Sequence, residues 1–108
     1  MNLELNVFID GYEKKTYKAE TLDLTVGVID DICEAVDIDT IDISNVADLG
    51  GRILRARKQI YPILHDIFGA TEEEIRTVKV TNIVKITQEI YTYISEVMGL
   101  LPKGGEKN

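Results

Sequence analysis

Between Tyr61 and Gly99 the chain reads YPILHDIFGATEEEIRTVKVTNIVKITQEIYTYISEVMG, and this stretch restricts the fold more than any other. In its last part Ile83, Ile86, Ile90, Ile94 and Val97 recur every three or four residues, the spacing of one apolar helix face. A second line, Val84, Tyr91 and Met98, widens that face beyond a coiled-coil seam. Thr81 is the N-cap candidate, and Gly99 followed by Leu100, Leu101 and Pro102 supplies a stop. Upstream, Gly69 suits the end of a helix at Phe68, and Thr71-Glu72-Glu73-Glu74 has the form of a capping box. So broad an apolar face needs a partner surface, which the remaining residues have to supply.

The first of those residues alternate. In LELNVFID, Leu3, Leu5, Val7 and Ile9 fall on one side, and Glu4, Asn6, Phe8 and Asp10 on the other, as in a half-buried strand. The segment KTYKA, residues 15–19, returns as the second strand of a hairpin, with its Leu3–Ile9 face against helices. Phe8, on the polar side, reads as a cross-strand partner of Tyr17 or as a contact surface. From Thr25, an N-cap candidate, the period becomes helical: Val26, Ile29, Ile32, Cys33 and Val36 share a face. The run DIDTIDI, residues 37–43, fails as a calcium loop, because Ile41, Asp42 and Asp48 stand where an oxygen ligand, glycine and glutamate are needed. Ser44 is the next N-cap candidate. Gly50-Gly51 is expected to end or loosen the short helix it opens, with helix resuming across RILRARKQIYPILHDIF. There Ile53, Ile60, Leu64 and Ile67 form one apolar line and Leu54, Tyr61 and Phe68 its neighbour, while Pro62 is expected to kink the helix or start a new one. The fold class is therefore α+β: an N-terminal β-hairpin packed on about four helices, one domain over 1–101, with 102–108 a flexible polar tail.

Charge narrows the function. Among 108 residues, 19 acidic and 12 basic side chains give −7, which argues against a nucleic-acid partner, since phosphate binding needs clustered cations. No apolar run approaches the roughly 20 residues of a membrane helix, so no membrane partner is expected. Residues 1–50 hold twelve acids and three bases, a balance of −9, whereas 51–108 hold seven acids and nine bases. Asp30, Asp37, Asp39 and Asp42 of one copy are thus candidates to meet Arg52, Arg55, Arg57 and Lys58 of the next, head to tail. Val84, Tyr91 and Met98, if exposed, would receive an amphipathic client helix.

Catalytic patterns are missing from the sequence. His65 is the single histidine and adjoins Asp66, but neighbouring residues on a helix do not face each other. No phosphate loop, nucleophile elbow or metal-ligand spacing is present, and no cofactor or enzymatic activity is expected. Cys33 cannot form an internal disulfide, in keeping with a reducing compartment.

Three segments, LELNVFIDGYEKKTYKAETLDLTVGVIDDICEAVD, YPILHDIFGATEEEIRTVKV and TNIVKITQEIYTYISEVMGLLPKG, give the chain a resemblance to tail assembly chaperones of long-tailed phages and prophages of Gram-positive bacteria. The resemblance implies a non-catalytic protein of the host cytoplasm, not part of the mature virion. Such a protein binds and solubilises the tape measure protein and helps recruit tail tube subunits. It also implies that a frameshift near Gly105 can yield a longer product. Two other readings belong to different classes: a structural head–tail connector or tail completion protein, and a small acidic regulator acting by protein–protein contacts.

Overall fold

The computed structural model describes residues 2–10, 13–37, 40 and 42–99, the Met98 side chain excepted. Strands β1 (Asn2–Ile9) and β2 (Glu13–Glu20) form an antiparallel hairpin, with Leu3 opposite Ala19, Leu5 opposite Tyr17 and Val7 opposite Lys15. Helices follow: α1 (Val26–Val36), α2 (Val46–Arg55), α3 (Arg57–Phe68), a single turn α4 (Glu72–Ile75) and the long α5 (Val80–Met98). The expected α+β architecture, a hairpin on four substantial helices, is the one observed.

Alternation decides which side of the hairpin is inside. Leu3, Leu5 and Val7 are wholly buried, while Ile9, at the strand's end, is 41% exposed. Ile53, Ile60, Ile63, Leu64, Ile75, Ile83, Ile86 and Ile90 complete most of the core they face. Phe8 does not pair with Tyr17. The register sets it opposite Lys14, and the two rings lie on opposite faces of the sheet, because Tyr17 shares the side of Leu5. Phe8 instead lies under the Lys79 ammonium, 5.4 Å from the ring centre.

The helix ends follow local chemistry at most places. Thr25 accepts from the Val28 amide, and Gly69 and Gly99 take the left-handed conformation that closes α3 and α5. Thr71 and Glu74 form the full capping box. Four expectations change. Asn45, not Ser44, caps α2, since the Ser44 hydroxyl is turned back to Asp42. Helix α5 begins a turn-fraction earlier than Thr81, at Val80, with Lys79 at the cap and no capping side chain. Gly50-Gly51 lies inside α2, and the chain bends at Ala56. The bend falls where the packing partner changes: α2 rests on α5, whereas α3 rests on α1 and β2. Pro62 sits within α3 without ending it, because the Lys58 carbonyl that it leaves without a donor belongs to an exposed turn.

Gly50 is buried where α2 crosses α5. A Cβ there would meet Val80 and Val84 at 3.6 and 3.8 Å, ordinary contact distances. Gly50→Ala is therefore expected to stabilise the protein by about 0.5–1 kcal/mol, the helix-propensity difference, read as a rise in the thermal midpoint. A fall would mean that α2 and α5 lie closer than described.

Apolar periodicity overstates burial at the margins. Val26, Leu54 and Val97 are 84%, 50% and 66% exposed, though each was expected on a core line. Val26 opens α1 and Val97 stands at the end of α5, beyond the reach of the other helices; Leu54 precedes the bend.

The hairpin is tied to the helices by polar groups as well. The Tyr17 hydroxyl donates to Glu74 Oε1 at 2.7 Å, and Lys15 Nζ lies 3.9 Å from Glu74 Oε2. These contacts and the Thr71 amide, which is the largest cause, hold the Glu74 carboxyl below its ordinary value. A carboxyl with a lowered folded value stabilises above its unfolded value, and that contribution is lost as pH falls through the folded one. Glu74→Gln, which keeps the cap acceptor, is expected to flatten the acid limb of a stability–pH curve. An unchanged limb would place the pH dependence elsewhere, such as Asp42, whose carboxyl is lowered mainly by the Ser44 hydroxyl.

Candidate functional site

The basic cluster expected from the sequence lies around the bend between α2 and α3. Arg52 faces inward. Its guanidinium reaches the carbonyls of Val36 and Asp37 at 3.3 Å and Thr40 Oγ1 at 2.9 Å, and stands 3.6 Å from Asp48. It thus supplies donors to the C-terminal carbonyls of α1, which have none within the helix. Asp37 closes α1 in the left-handed conformation, and its carboxylate accepts from the Thr40 hydroxyl. Arg52 and Asp37 form an internal clasp between α1 and α2.

That clasp alters the expected head-to-tail contact. The acidic and basic stretches are neighbours in one molecule, so two of the charges assigned to self-association already serve within the chain. Asp42 accepts from the Ser44 amide and hydroxyl, Asp30 is exposed on α1, and Asp39 lies outside the described residues.

Arg55, Arg57 and Lys58 remain exposed. With Asp37, Asp48 and Arg52 they line a cleft of about 720 Å³. A second cleft of about 750 Å³ shares Arg57 and Lys58 and continues along α3 past Tyr61, Pro62 and His65 to Arg76. The His65 ring is oriented by its Nδ1, 2.9 Å from the Ala70 carbonyl, and not by Asp66. Together the clefts make one face on which Arg55, Arg57, Lys58 and Arg76 surround a half-buried tyrosine and an exposed proline, with Glu72 at the margin. On a chain of charge −7 this is a local reversal of sign. Such a face favours an acidic segment with apolar side chains, held by charge at its edges and by the Tyr61–Pro62 surface at its centre. Spacing in the sequence marks only Arg52, Arg55, Arg57 and Lys58; Arg76 comes alongside Tyr61, Pro62 and His65 through the packing of α4 on α3.

The apolar line on α5 is placed differently from its expected client-binding role. Val84 is 3% exposed and packs toward Gly50, so it belongs to the core. Tyr91 is half-buried, and the Met98 side chain lies outside the described residues. Cys33 is half-buried against the core. Among the described residues no three histidine, cysteine or carboxylate side chains gather as metal ligands would, and no helix is long and apolar enough to cross a membrane. Compared with protein-family models, curated proteins and solved structures, the chain gives no match.

Proposed function

We propose that this chain is a non-catalytic tail assembly chaperone of a long-tailed phage or prophage, which binds the tape measure protein, keeps it soluble and helps recruit tail tube subunits. The observation that carries the reading is the resemblance of the three quoted segments, which together span most of the chain. In this reading the protein works in the host cytoplasm and leaves before the virion is complete. The client meets the Arg55–Arg76 face: a basic surface with an aromatic centre, on an otherwise acidic protein, suits acidic stretches of a long helical client. Solubilisation needs no catalytic group, only enough contact to cover the client's apolar surface.

Co-expression with the tape measure protein of the same gene cluster tests this. The client is expected to move from the pellet to the soluble fraction and to co-elute with the chain. Arg57→Glu with Lys58→Glu, both exposed and outside the core, is expected to leave the fold intact by circular dichroism and to weaken co-elution at least tenfold at low salt. A client that stays insoluble beside the wild-type chain overturns the function; equal co-elution of the variant overturns the site.

A further inference from the structure

The two edges of the hairpin differ. Along β1 three outward backbone groups are taken: Asn82 Oδ1 accepts from the Asn6 amide at 2.8 Å, Asn82 Nδ2 donates to the Glu4 carbonyl at 2.9 Å, and Thr77 Oγ1 accepts from the Phe8 amide at 2.9 Å. Even-numbered residues of β1 therefore point away from β2, and the odd-numbered ones exchange bonds with it. In β2 it follows that Lys14, Thr16, Lys18 and Glu20 turn their amides outward. All four are exposed, and no described residue bonds to the outward backbone groups of Lys14, Thr16 or Lys18. The edge of β2 is open.

We infer that this edge pairs with the same edge of a second copy, giving a two-fold dimer with a continuous four-stranded sheet. The charge pattern of EKKTYKAE selects the partner and the register. With Tyr17 on the two-fold axis, Thr16 of each copy faces Lys18 of the other and makes the central backbone bonds. Lys14 then faces Glu20 on both sides of the axis, an opposite-charge pair made twice. Sliding by one pleat in either direction sets Lys14 against Lys18, or Lys18 against Lys18, and like charges directly opposite are unfavourable. The lysines that repel an unrelated basic strand thus admit this one, which carries glutamate at the matching place. The dimer is closed and distinct from a head-to-tail chain of copies, and it stands independently of the chaperone reading.

Sedimentation equilibrium of the full chain across a concentration series is expected to show a monomer–dimer equilibrium. Thr16→Pro removes an outward amide and no backbone hairpin bond to β1, and is expected to weaken the dimer at least tenfold, whereas Thr16→Val, which loses only the hydroxyl's bond to Asn6 Oδ1, is expected to leave it unchanged. Lys14→Glu and Glu20→Lys should each weaken it, and the double exchange should restore it, which a merely structural effect on the hairpin would not do. A chain that stays monomeric throughout, or a dimer indifferent to Thr16→Pro and to both single charge changes, overturns the inference.

Discussion

Leu5→Ala is expected to lower the unfolding free energy by about 2–5 kcal/mol, in the range for deleting a buried leucine and leaving a cavity. That is a large share of the roughly 5–15 kcal/mol available to a domain of this size. Leu5 is wholly buried at the middle of β1, with Leu3 and Val7 beside it on the same face. A two-stranded sheet has no further strand to move in and fill the space. The contrast is Ile9→Ala, the next-but-one residue on that face but 41% exposed, where a cost under about 1 kcal/mol is expected. Denaturant midpoints at constant m-value measure both. Equal costs would mean that the hairpin does not rest on the helices through its centre.

The second large effect belongs to Asn82. Its amide acts toward β1 as a neighbouring strand would, accepting from Asn6 and donating to Glu4 with one side chain. Asn82→Leu removes both bonds, one part-buried at the Asn6 amide and one exposed at the Glu4 carbonyl, and is expected to cost about 1–3 kcal/mol, about 0.5–1.5 kcal/mol for each. Asn82→Asp is the sharper variant. It keeps the acceptor for Asn6 and sets a carboxylate against the Glu4 carbonyl, so its cost should shrink at low pH, where a protonated carboxyl donates. Amide exchange at Asn6 reads the bond itself and is expected to accelerate in Asn82→Leu and to stay slow in Asn82→Asp, which keeps the acceptor. Unchanged exchange in Asn82→Leu would assign the closure of this edge to something other than Asn82.

Both effects bear on how much of the structure could be read from the residues. The hairpin was legible because Leu3, Leu5 and Val7 alternate with polar residues, and a single period cannot be both strand and helix. The capping box at Thr71 and the glycines at 69 and 99 marked helix ends because each supplies a specific backbone need. The division between α2 and α3 was not legible. Glycine weakens a helix in isolation, but at Gly50 the packing of α2 on α5 decides, and the bend moves to Ala56 where the packing partner changes. Nor could Asn82 be found, since a bond across 76 positions of sequence leaves no local mark. Of the candidate site, the arginines and Lys58 were visible as a cluster. That Arg52 turns inward to Val36, while Arg76 joins from α4, depends on helix packing alone.

Val84 shows the same limit in the opposite direction. Its seven-residue spacing from Tyr91 and Met98 is equally that of a wide core face and of an exposed strip, and periodicity does not separate them. Contact with α2 does, and it assigns Val84 to the core.

The proposed function is that of a protein that assists assembly and then departs, and protein composition along the assembly path tests this most directly. Quantitative mass spectrometry would compare the tape measure complex, isolated before tube growth, with finished particles of the phage or induced prophage. The chain is expected in the early complex in several copies per tape measure protein, and absent from finished particles. Its retention in finished particles at a fixed stoichiometry would contradict the account and make it a structural component of the virion.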